Sequence, residues 1–331
     1  MSKTVLITGG AGYVGSALVP SLLEAGYKVI VYDLYLFGDN IFKEIKNENL
    51  VEIKGDIRDK EKLIKAGMGV DYLIHLACIS NDPSFELNPE LGKSVNYDAF
   101  FNVIETVKNN NIKRIVFASS ASVYGTQEGD VTEDLKGEPL TDYAKFKALC
   151  EKALKDSGLK NYVCVRPGTV NGYAPRVRLD LIINNFTIRA LINKKISFFG
   201  GWQLRPSINV NDMVRVYKLL IEASDELVHE KAFNAGFQNT TVEDMAKMVV
   251  NVLQKNNIEN NIQVEKLDVP DKRSYHLNSE KIKKELGFIP KFTIEDGILS
   301  IVEAFKKGLI ADGLNNPIYH NTKMMQMTGL K

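Results

Sequence analysis

A glycine-rich turn near the start of the chain constrains the fold more than any other feature. The segment from Thr8 to Gly15 contains four glycines, follows the apolar run Val5 to Thr8 and opens an amphipathic stretch from Tyr13 to Glu24. Glycines between a strand and a helix permit a tight turn and a close approach of the backbone to a pyrophosphate at the helix N-terminus. A turn needed only for packing is the alternative, and the strand and helix patterns around it disfavour that interpretation.

Apolar runs of strand length alternate with amphipathic stretches of helix length throughout the first half. The predicted strands are Val5 to Thr8, Val29 to Asp33, Val51 to Lys54, Tyr72 to Leu76, Ile115 to Ser119 and Val163 to Arg166. The predicted helices between them include Tyr13 to Glu24 and Asn96 to Asn109. Continuous apolar strands joined by helices are typical of a parallel sheet covered on both faces. The fold class predicted is therefore α/β, a doubly wound parallel sheet of the Rossmann type.

Asp33 ends the second predicted strand, 21 residues after Gly12. A carboxylate at this point accepts both hydroxyls of the adenosine ribose of a dinucleotide. It favours NAD over NADP because a 2′-phosphate would meet like charge there, and no arginine lies between Gly15 and Asp33 or just beyond. A solvated aspartate at a strand end is the alternative.

The rhythm of strands and helices loosens after residue 167, where Gly172, Pro175, Gly200, Gly201 and Pro206 interrupt the pattern. A helix-rich tail follows, with predicted helices over Glu243 to Gln254 and Ser279 to Leu286. We predict an NAD-binding Rossmann domain over residues 1–166. Residues 167–331 are predicted to be mainly a smaller substrate-binding lobe, parts of which return to the Rossmann sheet.

The composition excludes several classes of partner. Lys+Arg number 42 and Asp+Glu 41, a net charge of +1, so no overall field attracts nucleic acid or an anionic membrane. No run approaches the roughly 20 apolar residues that span a bilayer. Cys78, Cys150 and Cys164 are widely spaced and share no metal-ligand spacing with the histidines. We therefore predict a cytoplasmic protein with reduced thiols, no metal, and no nucleic-acid or membrane partner.

Tyr143 and Lys147 lie four residues apart, and hence on one face of a helix. This spacing is common by chance, and Tyr319 and Lys323 repeat it. Only the first pair has a serine-rich strand end, Ser119 to Gly125, about 20 residues upstream.

The sequence Ser-Ser-Ala-Ser-Val-Tyr-Gly followed by Tyr-x-x-x-Lys resembles the signature of the extended short-chain dehydrogenase/reductase family, in its NAD-dependent sugar-nucleotide epimerase and dehydratase group. The resemblance implies that Ser120 is the catalytic hydroxyl, Tyr143 the base and Lys147 its support. A free tyrosine has a pKa of about 10, so this base needs its phenolate stabilised by Lys147 and the positive nicotinamide. It would remove a sugar hydroxyl proton, usually at C4, as hydride passes to NAD, and a 4-ketose would result.

The resemblance also implies a set of cofactor contacts. The spacing of Gly9, Gly12 and Gly15 is similar to that of the extended family, and segments after the third and fourth strands resemble its adenine and nicotinamide contacts. The predicted cofactor-binding residues are Gly9, Gly12, Tyr13, Val14, Gly15, Asp33, Asp56, Ile57, Leu76, Ala77, Cys78, Tyr143 and Lys147.

Arg205 begins a segment, Arg205 to Asp212, that resembles a motif of the epimerases in which the arginine holds the substrate diphosphate. A guanidinium suits this task because it binds phosphate with two parallel bonds. An ion pair with Asp212 is the alternative. The other predicted substrate-binding residues are Ser120; Thr169, where the best-studied hexose 4-epimerases have asparagine; Arg178, in a polar cluster with Arg176 and Asp180; and Arg273, in a loop that resembles the family's second phosphate contact.

The absence of two acidic residues from this chain bears on which of the family's reactions it catalyses. The family's 4,6-dehydratases have a Thr-Asp-Glu motif at the positions of Ser120, Ala121 and Ser122, and they need both acids for elimination. This chain lacks both acids, which disfavours dehydratase activity. We therefore predict an NAD-dependent epimerase acting at C4 of a nucleotide-diphosphate sugar. The alternatives are a sugar-nucleotide 4-dehydrogenase or keto-sugar reductase of the same fold, and a non-catalytic NAD-binding sensor.

The resemblance further implies a homodimer built from two helices of each subunit, here about Asn96 to Asn109 and Thr141 to Lys155. Their apolar residues are Phe100, Phe101, Ile104, Val107, Phe146, Cys150 and Leu154. The alternative is that these residues all face the sheet, since a helix packed on a sheet also needs an apolar stripe.

Overall fold

The computed structural model describes residues 2–127, 129–267 and 274–330. The strands are β1 (Thr4–Thr8), β2 (Lys28–Asp33), β3 (Leu50–Lys54), β4 (Tyr72–His75), β5 (Arg114–Ala118), β6 (Asp130–Val131), β7 (Tyr162–Pro167), β8 (Thr169–Asn171), β9 (Lys195–Phe199), β10 (Leu204–Asn209), β11 (Lys231–Ala235), β12 (Gln238–Thr241), β13 (Gln263–Leu267) and β14 (His276–Leu277). The α-helices are α1 (Tyr13–Glu24), α2 (Lys60–Ala66), α3 (Asp82–Glu86), α4 (Pro89–Lys93), α5 (Phe100–Asn109), α6 (Asp142–Asp156), α7 (Ile182–Asn193), α8 (Val210–Glu222), α9 (Asp225–Val228), α10 (Val242–Lys255), α11 (Glu280–Leu286), α12 (Ile294–Lys306) and α13 (Asn321–Met327).

The central sheet confirms the predicted fold class. Within the described residues it has seven strands in the order β11-β7-β5-β4-β1-β2-β3. Every neighbouring pair is parallel. The order reverses at β1, whose two neighbours are β2 and β4, and ligands of doubly wound sheets bind at the carboxyl ends of the strands at this point.

Strand β1 shows why the sheet is covered on both faces. Val5 and Ile7 pack in a core that includes residues of α1 and α8, whereas Leu6 packs in a second core with residues of α2, α5 and α6. Successive side chains of a strand point to opposite faces, so a strand buried on both faces reads as one apolar run.

The second half of the chain is built differently from the first. β10 pairs in parallel with β8 and antiparallel with β12, and β9 pairs with β13. Helices α7, α10 and α12 enclose a separate apolar core. β11 returns to the central sheet and pairs with β7 at its edge. The domain boundary at residue 166 stays a prediction.

The predicted helix over Asn96 to Asn109 is interrupted. A turn of π-helix spans Ser94–Asp98, and α5 begins only at Phe100. The Asn96 side chain bonds both backbone groups of Ile79, and the Asn96 carbonyl accepts from Cys150 Sγ at 3.1 Å. π-helical turns are rare and are frequent at functional sites. Here the turn fastens the loop that follows β4.

No helix in the described part of the chain combines the length and the apolar character that crossing a bilayer requires.

Candidate active site

A cleft of about 480 Å³ opens at the carboxyl ends of the central strands. Its volume lies in the range typical of small-molecule sites. The described residues that the sequence nominated all line it: Gly9, Gly12, Tyr13, Val14, Gly15, Asp33, Asp56, Ile57, Leu76, Ala77, Cys78, Ser120, Tyr143, Lys147, Thr169, Arg178 and Arg205. Arg273 lies outside the described residues.

The glycine turn meets the loop after β4 at very short range. Gly9 has φ +76°, and a Cβ on it would stand 2.4 Å from the Ala77 nitrogen, so only glycine fits there. Gly12 caps α1 and brings no side chain to the N–H groups of the first helical turn. An exposed set of N–H groups at a helix N-terminus suits a pyrophosphate.

Asp33 is fixed at the end of β2 by two backbone donors. The Ala11 N–H donates to Oδ2 at 3.0 Å and the Tyr35 N–H donates to Oδ1 at 2.8 Å. Burial raises the pKa of Asp33, and these two donors oppose the effect. Each carboxylate oxygen retains a lone pair for a ribose hydroxyl. The glycine turn and this carboxylate together fit NAD.

Asp56 and Ile57 follow β3 in different roles. Arg58 binds the Asp56 carboxylate, with Nη2 2.6 Å from Oδ2, while the Ile57 side chain is buried beside the cleft. This end of the cleft therefore presents an apolar side chain and backbone groups to a ligand.

The Ser120 side chain lies close enough to the Tyr143 phenol for hydrogen bonding between them to lower the pKa of the phenol. Ser120 caps the short 3-10 helix Ala121–Tyr124, and its Oγ accepts from the Ser122 hydroxyl at 2.8 Å. Burial raises the pKa of the Tyr143 phenol, as do Cys78 and Asp82, whereas Arg178 and Ser120 lower it. The pair can present a hydroxyl and a phenol to one substrate oxygen.

Lys147 is buried one helical turn after Tyr143. Its ammonium donates to the Ala118 carbonyl at 2.6 Å and lies 5.9 Å from the centroid of the Tyr143 ring. A positive charge at this distance from the Tyr143 ring favours the phenolate form of Tyr143 over the neutral phenol.

Helix α6 is held in place by contacts on both sides of Tyr143 and Lys147, at Thr141 and at Glu151. Thr141 caps it by accepting from the Ala144 N–H, and donates its hydroxyl to Asp82 at 2.6 Å. One turn beyond Lys147, Glu151 binds Arg166 of β7 through two parallel bonds of 2.9 and 2.6 Å. Glu151 also accepts from Ser119 at 2.5 Å. These contacts set α6 against the strand ends that carry the site.

Two of the predicted substrate-binding arginines line the cleft. Arg178 pairs with Asp180 at 2.8 Å and donates to Ser80 Oγ at 3.1 Å. Thr169 lies on β8, and Arg205 on the neighbouring β10. Guanidiniums that line a cleft suit an anionic ligand.

Asp212, the partner considered for Arg205, is fully buried. Its carboxylate accepts from Arg215 at 2.5 Å and from the backbone of Lys291 and Phe292. It therefore fastens the loop before α12 to α8.

Several lining residues escaped the sequence interpretation. Ser80, Asn81 and Asp82 form a polar run shortly after β4, the same signal that singled out Asp33 after β2. Asn321, Met325 and Leu330 of the C-terminal segment also line the cleft, and no motif marks their positions. Arg176, from the polar cluster that the sequence indicates after Gly172, lines it as well.

His75 lies at the end of β4 but takes no part in the cleft chemistry. It is buried between aromatic rings, Thr8 Oγ1 lies 2.7 Å from its Nδ1, and burial together with Lys147 lowers its pKa to about 3. It is neutral at physiological pH. Among the described residues no group of three or more His, Cys, Asp or Glu side chains could hold a metal ion.

Comparison with known proteins identifies relatives over most of the chain. The model of the NAD dependent epimerase/dehydratase family matches residues 5–236. UDP-glucuronic acid decarboxylase 2 of Arabidopsis thaliana is 30% identical over 322 residues, which cover 93% of this chain and 69% of that protein.

Solved structures match at the level of the whole fold. The UDP-N-acetylglucosamine 4-epimerase from Methanobrevibacter ruminantium, in complex with UDP-N-acetylmuramic acid, has a TM-score of 0.82 at 27% identity and covers 93% of this chain and 99% of its own. MoeE5 in complex with UDP-glucose and NAD has a TM-score of 0.78 at 25% identity and covers 92% of this chain and 99% of its own.

Proposed function

Since this chain belongs to the NAD-dependent epimerase/dehydratase family of extended short-chain dehydrogenases/reductases, we propose that it is a sugar-nucleotide epimerase acting at C4 through a 4-keto intermediate. The cofactor is NAD. One observation carries the choice of reaction: Ser120 and Tyr143 line the same cleft, and Ser120 is followed by Ala121 and Ser122, where an elimination would need acids.

The proposed chemistry assigns a proton step to this chain's residues. NAD, when bound, supplies the hydride acceptor and returns the hydride. Tyr143 takes the C4 hydroxyl proton while Ser120 donates a hydrogen bond to the same oxygen. Lys147 favours the phenolate form of Tyr143. After the ketose rotates in the cleft so that its other face meets the cofactor, Tyr143 returns the proton to the C4 oxygen, and the other epimer results. Thr169, Arg178, Arg205 and Arg273 are proposed to hold the nucleotide sugar.

Decarboxylation is the second candidate. The Arabidopsis relative is named a UDP-glucuronic acid decarboxylase, and a 4-keto uronic acid loses CO₂ readily because its carboxylate is β to the ketone. Arg178 lies close enough to Tyr143 to lower its pKa, and a guanidinium there could bind a sugar carboxylate.

An NMR assay in D₂O separates these reactions. The enzyme is incubated with UDP-glucose, UDP-N-acetylglucosamine and UDP-glucuronic acid. Epimerisation should give an equilibrium of C4 epimers with no deuterium at C4, because the hydride returns from the cofactor. Decarboxylation would release CO₂ and place deuterium at C5. NADH accumulating together with a ketose would instead identify a dehydrogenase, and either of the latter outcomes would overturn the epimerase proposal.

Cofactor choice should depend on Asp33. Wild type should bind NAD much more tightly than NADP. Asp33→Ala should lower the ratio of the NADP dissociation constant to the NAD dissociation constant at least tenfold, because NAD loses charged hydrogen bonds to its ribose that contribute about 1.5 to 3 kcal/mol. Arg176, which lies near this carboxylate, would remain to attract a 2′-phosphate. Calorimetry measures both affinities. Asp39→Ala, on the exposed loop that follows, is the matched control; a wild type that prefers NADP would contradict the assignment.

The homodimer remains a proposal, with a corrected interface. Five of the seven predicted apolar residues are buried in their own subunit and face the sheet: Phe100, Ile104, Val107, Cys150 and Leu154. The outward surface consists of Tyr97, Phe101, Phe146 and Leu149, in which Tyr97 contacts both phenylalanine rings at 5.4 and 5.6 Å. Aromatic side chains of this kind are enriched at interface centres.

Sedimentation equilibrium tests this dimer. Wild type should be a dimer at micromolar concentration. Phe101→Glu should weaken it about a thousandfold, because symmetry places the charge twice in the interface at about 2 kcal/mol each. Phe199→Glu, at a similarly exposed phenylalanine on β9, should leave the dimer intact. A fully active monomer in the wild type would refute the proposal.

We also propose that the enzyme acts in the cytoplasm. Its three cysteines are free thiols, the state that a reducing compartment maintains.

A further inference from the structure

We propose that the C-terminal residues 321–330 are part of the NAD site, in which Asn321 joins Arg176 to Ser80 across the cleft and holds the cofactor in place through turnover. The proposal rests on the cofactor assignment within the proposed function and not on the fate of the ketone. No motif near the glycine turn points to these residues, and the match to the family model ends at residue 236.

Arg176 is the first member of this bridge. It is 3% exposed, lines the cleft, and lies with its guanidinium carbon 3.5 Å from the centroid of the Phe37 ring. Phe37 belongs to the loop after β2, and Arg176 is close enough to Asp33 to lower its pKa. The guanidinium therefore lies at the adenosine end of the cleft.

One donor of Arg176 indicates a ligand. Its Nε–H is buried and has no hydrogen-bond partner among the described residues. A buried donor without a partner costs about 1 to 3 kcal/mol, and such donors are rare in folded proteins. Burial and the neighbouring Arg178 lower the pKa of Arg176 to about 9, so it stays a cation at neutral pH. The ribose and phosphate oxygens of NAD offer this cationic donor the kind of acceptor that it lacks.

Asn321 is the centre of the bridge. It is 5% exposed, its Oδ1 accepts from Arg176 Nη2 at 2.5 Å, and its Nδ2 donates to Ser80 Oγ at 2.7 Å. Ser80 lies in the loop after β4, whereas Arg176 packs on the loop after β2. Since β1 lies between β2 and β4, the bridge spans the carboxyl end of β1, where the glycine turn begins.

The rest of the segment continues this cover towards the adenine side. Thr322 Oγ1 lies 3.3 Å from Ser84 Oγ of α3. Met325 and Leu330 line the cleft and pack against the core that contains Ile57. A dinucleotide bound over β1 would thus be enclosed by a polar bridge and an apolar flank.

Enclosure has a consequence for turnover. A cofactor held behind the bridge leaves only when the bonds of Asn321 break. An enzyme that must return a hydride to the same sugar benefits from this arrangement, because NADH lost midway would leave an unreduced ketose.

Displacement of NADH measures the effect without any turnover. NADH-loaded protein is mixed with excess NAD in a stopped-flow fluorimeter and the loss of NADH fluorescence is followed. Asn321→Ala should raise the dissociation rate about tenfold or more, because two hydrogen bonds of about 1 kcal/mol each are removed. Asn315→Ala, the same change at an exposed asparagine that bonds Asp312, should stay within about twofold of wild type.

A second variant protects the test against misfolding. Ser80→Ala removes the hydroxyl that accepts from Asn321, together with its bond from Arg178, but keeps the bond between Asn321 and Arg176. It should raise the rate by a smaller factor, while the melting temperature shows that the protein is folded. Unchanged dissociation rates in both folded variants would overturn the proposal. An enzyme that fails to epimerise, yet shows these rate changes, would sink the reaction assigned above and leave the role of the segment standing.

Discussion

Tyr143→Phe should turn over about 10²- to 10⁴-fold more slowly than wild type and still bind NAD, because the change deletes only the group that accepts the substrate proton. The phenol is partly buried in the cleft, which Ser120 also lines, and lies one helical turn from Lys147. Burial raises its pKa, so wild-type turnover should rise with pH as the phenolate forms, and the residual rate of the variant should lack this dependence.

The chain carries its own control for this experiment. Tyr319 and Lys323 have the same spacing as Tyr143 and Lys147, but the Tyr319 hydroxyl accepts from the Ala311 N–H, away from the cleft. Tyr319→Phe should therefore keep wild-type turnover. Steady-state kinetics and NAD calorimetry on both variants provide the readout; Tyr143→Phe with wild-type turnover would sink the catalytic assignment.

Glu151→Ala should lower the free energy of unfolding by about 3 to 5 kcal/mol, because it leaves Arg166 charged, buried and without its carboxylate. The side chains of Arg166 and Glu151 are only 13% and 16% exposed, and the pair is bidentate. Arg166 also donates to the Tyr124 hydroxyl at 2.7 Å, so the loss should spread to the segment that carries Ser120.

Urea unfolding monitored by circular dichroism measures this loss. Glu303→Ala is the matched control, since Glu303 pairs with Lys307 on the surface of α12, with side chains 66% and 62% exposed. An exposed pair contributes about 0.2 to 1 kcal/mol. A Glu151→Ala variant that loses no more than the Glu303→Ala variant would show that the buried pair contributes little net stability.

The fold could be predicted because its strongest signals are local. The run Val5 to Thr8 is apolar without alternation, as expected for a strand buried on both faces, and the glycines that follow it identify the turn. The first strand, its helix and the strand-end carboxylate Asp33 lie within 33 residues of the chain start. Ser120 and Tyr143 could be predicted for a similar reason, since each lies in a short motif.

The remaining parts of the site depend on contacts between distant segments. Arg176 and Asn321 are 145 residues apart in sequence, and neither shows periodicity or spacing that relates it to Asp33. The apolar residues that face the sheet could not be distinguished from those that face outward for a different reason. An apolar stripe on a helix looks the same whether it packs on a sheet or on a second subunit, so Phe100 and Phe101 could be separated only by their burial.

The position of β11 at the sheet edge has a consequence for how the protein is made. Until β11 has been synthesised, β7 can pair with β5 on one side only, because the strand that covers its other side ends at Ala235, 69 residues after Arg166. An uncovered strand edge is a template for pairing with other chains. The nascent polypeptide therefore passes through a period in which the β7 edge is open to aggregation and suited to chaperone binding, until pairing with β11 covers it.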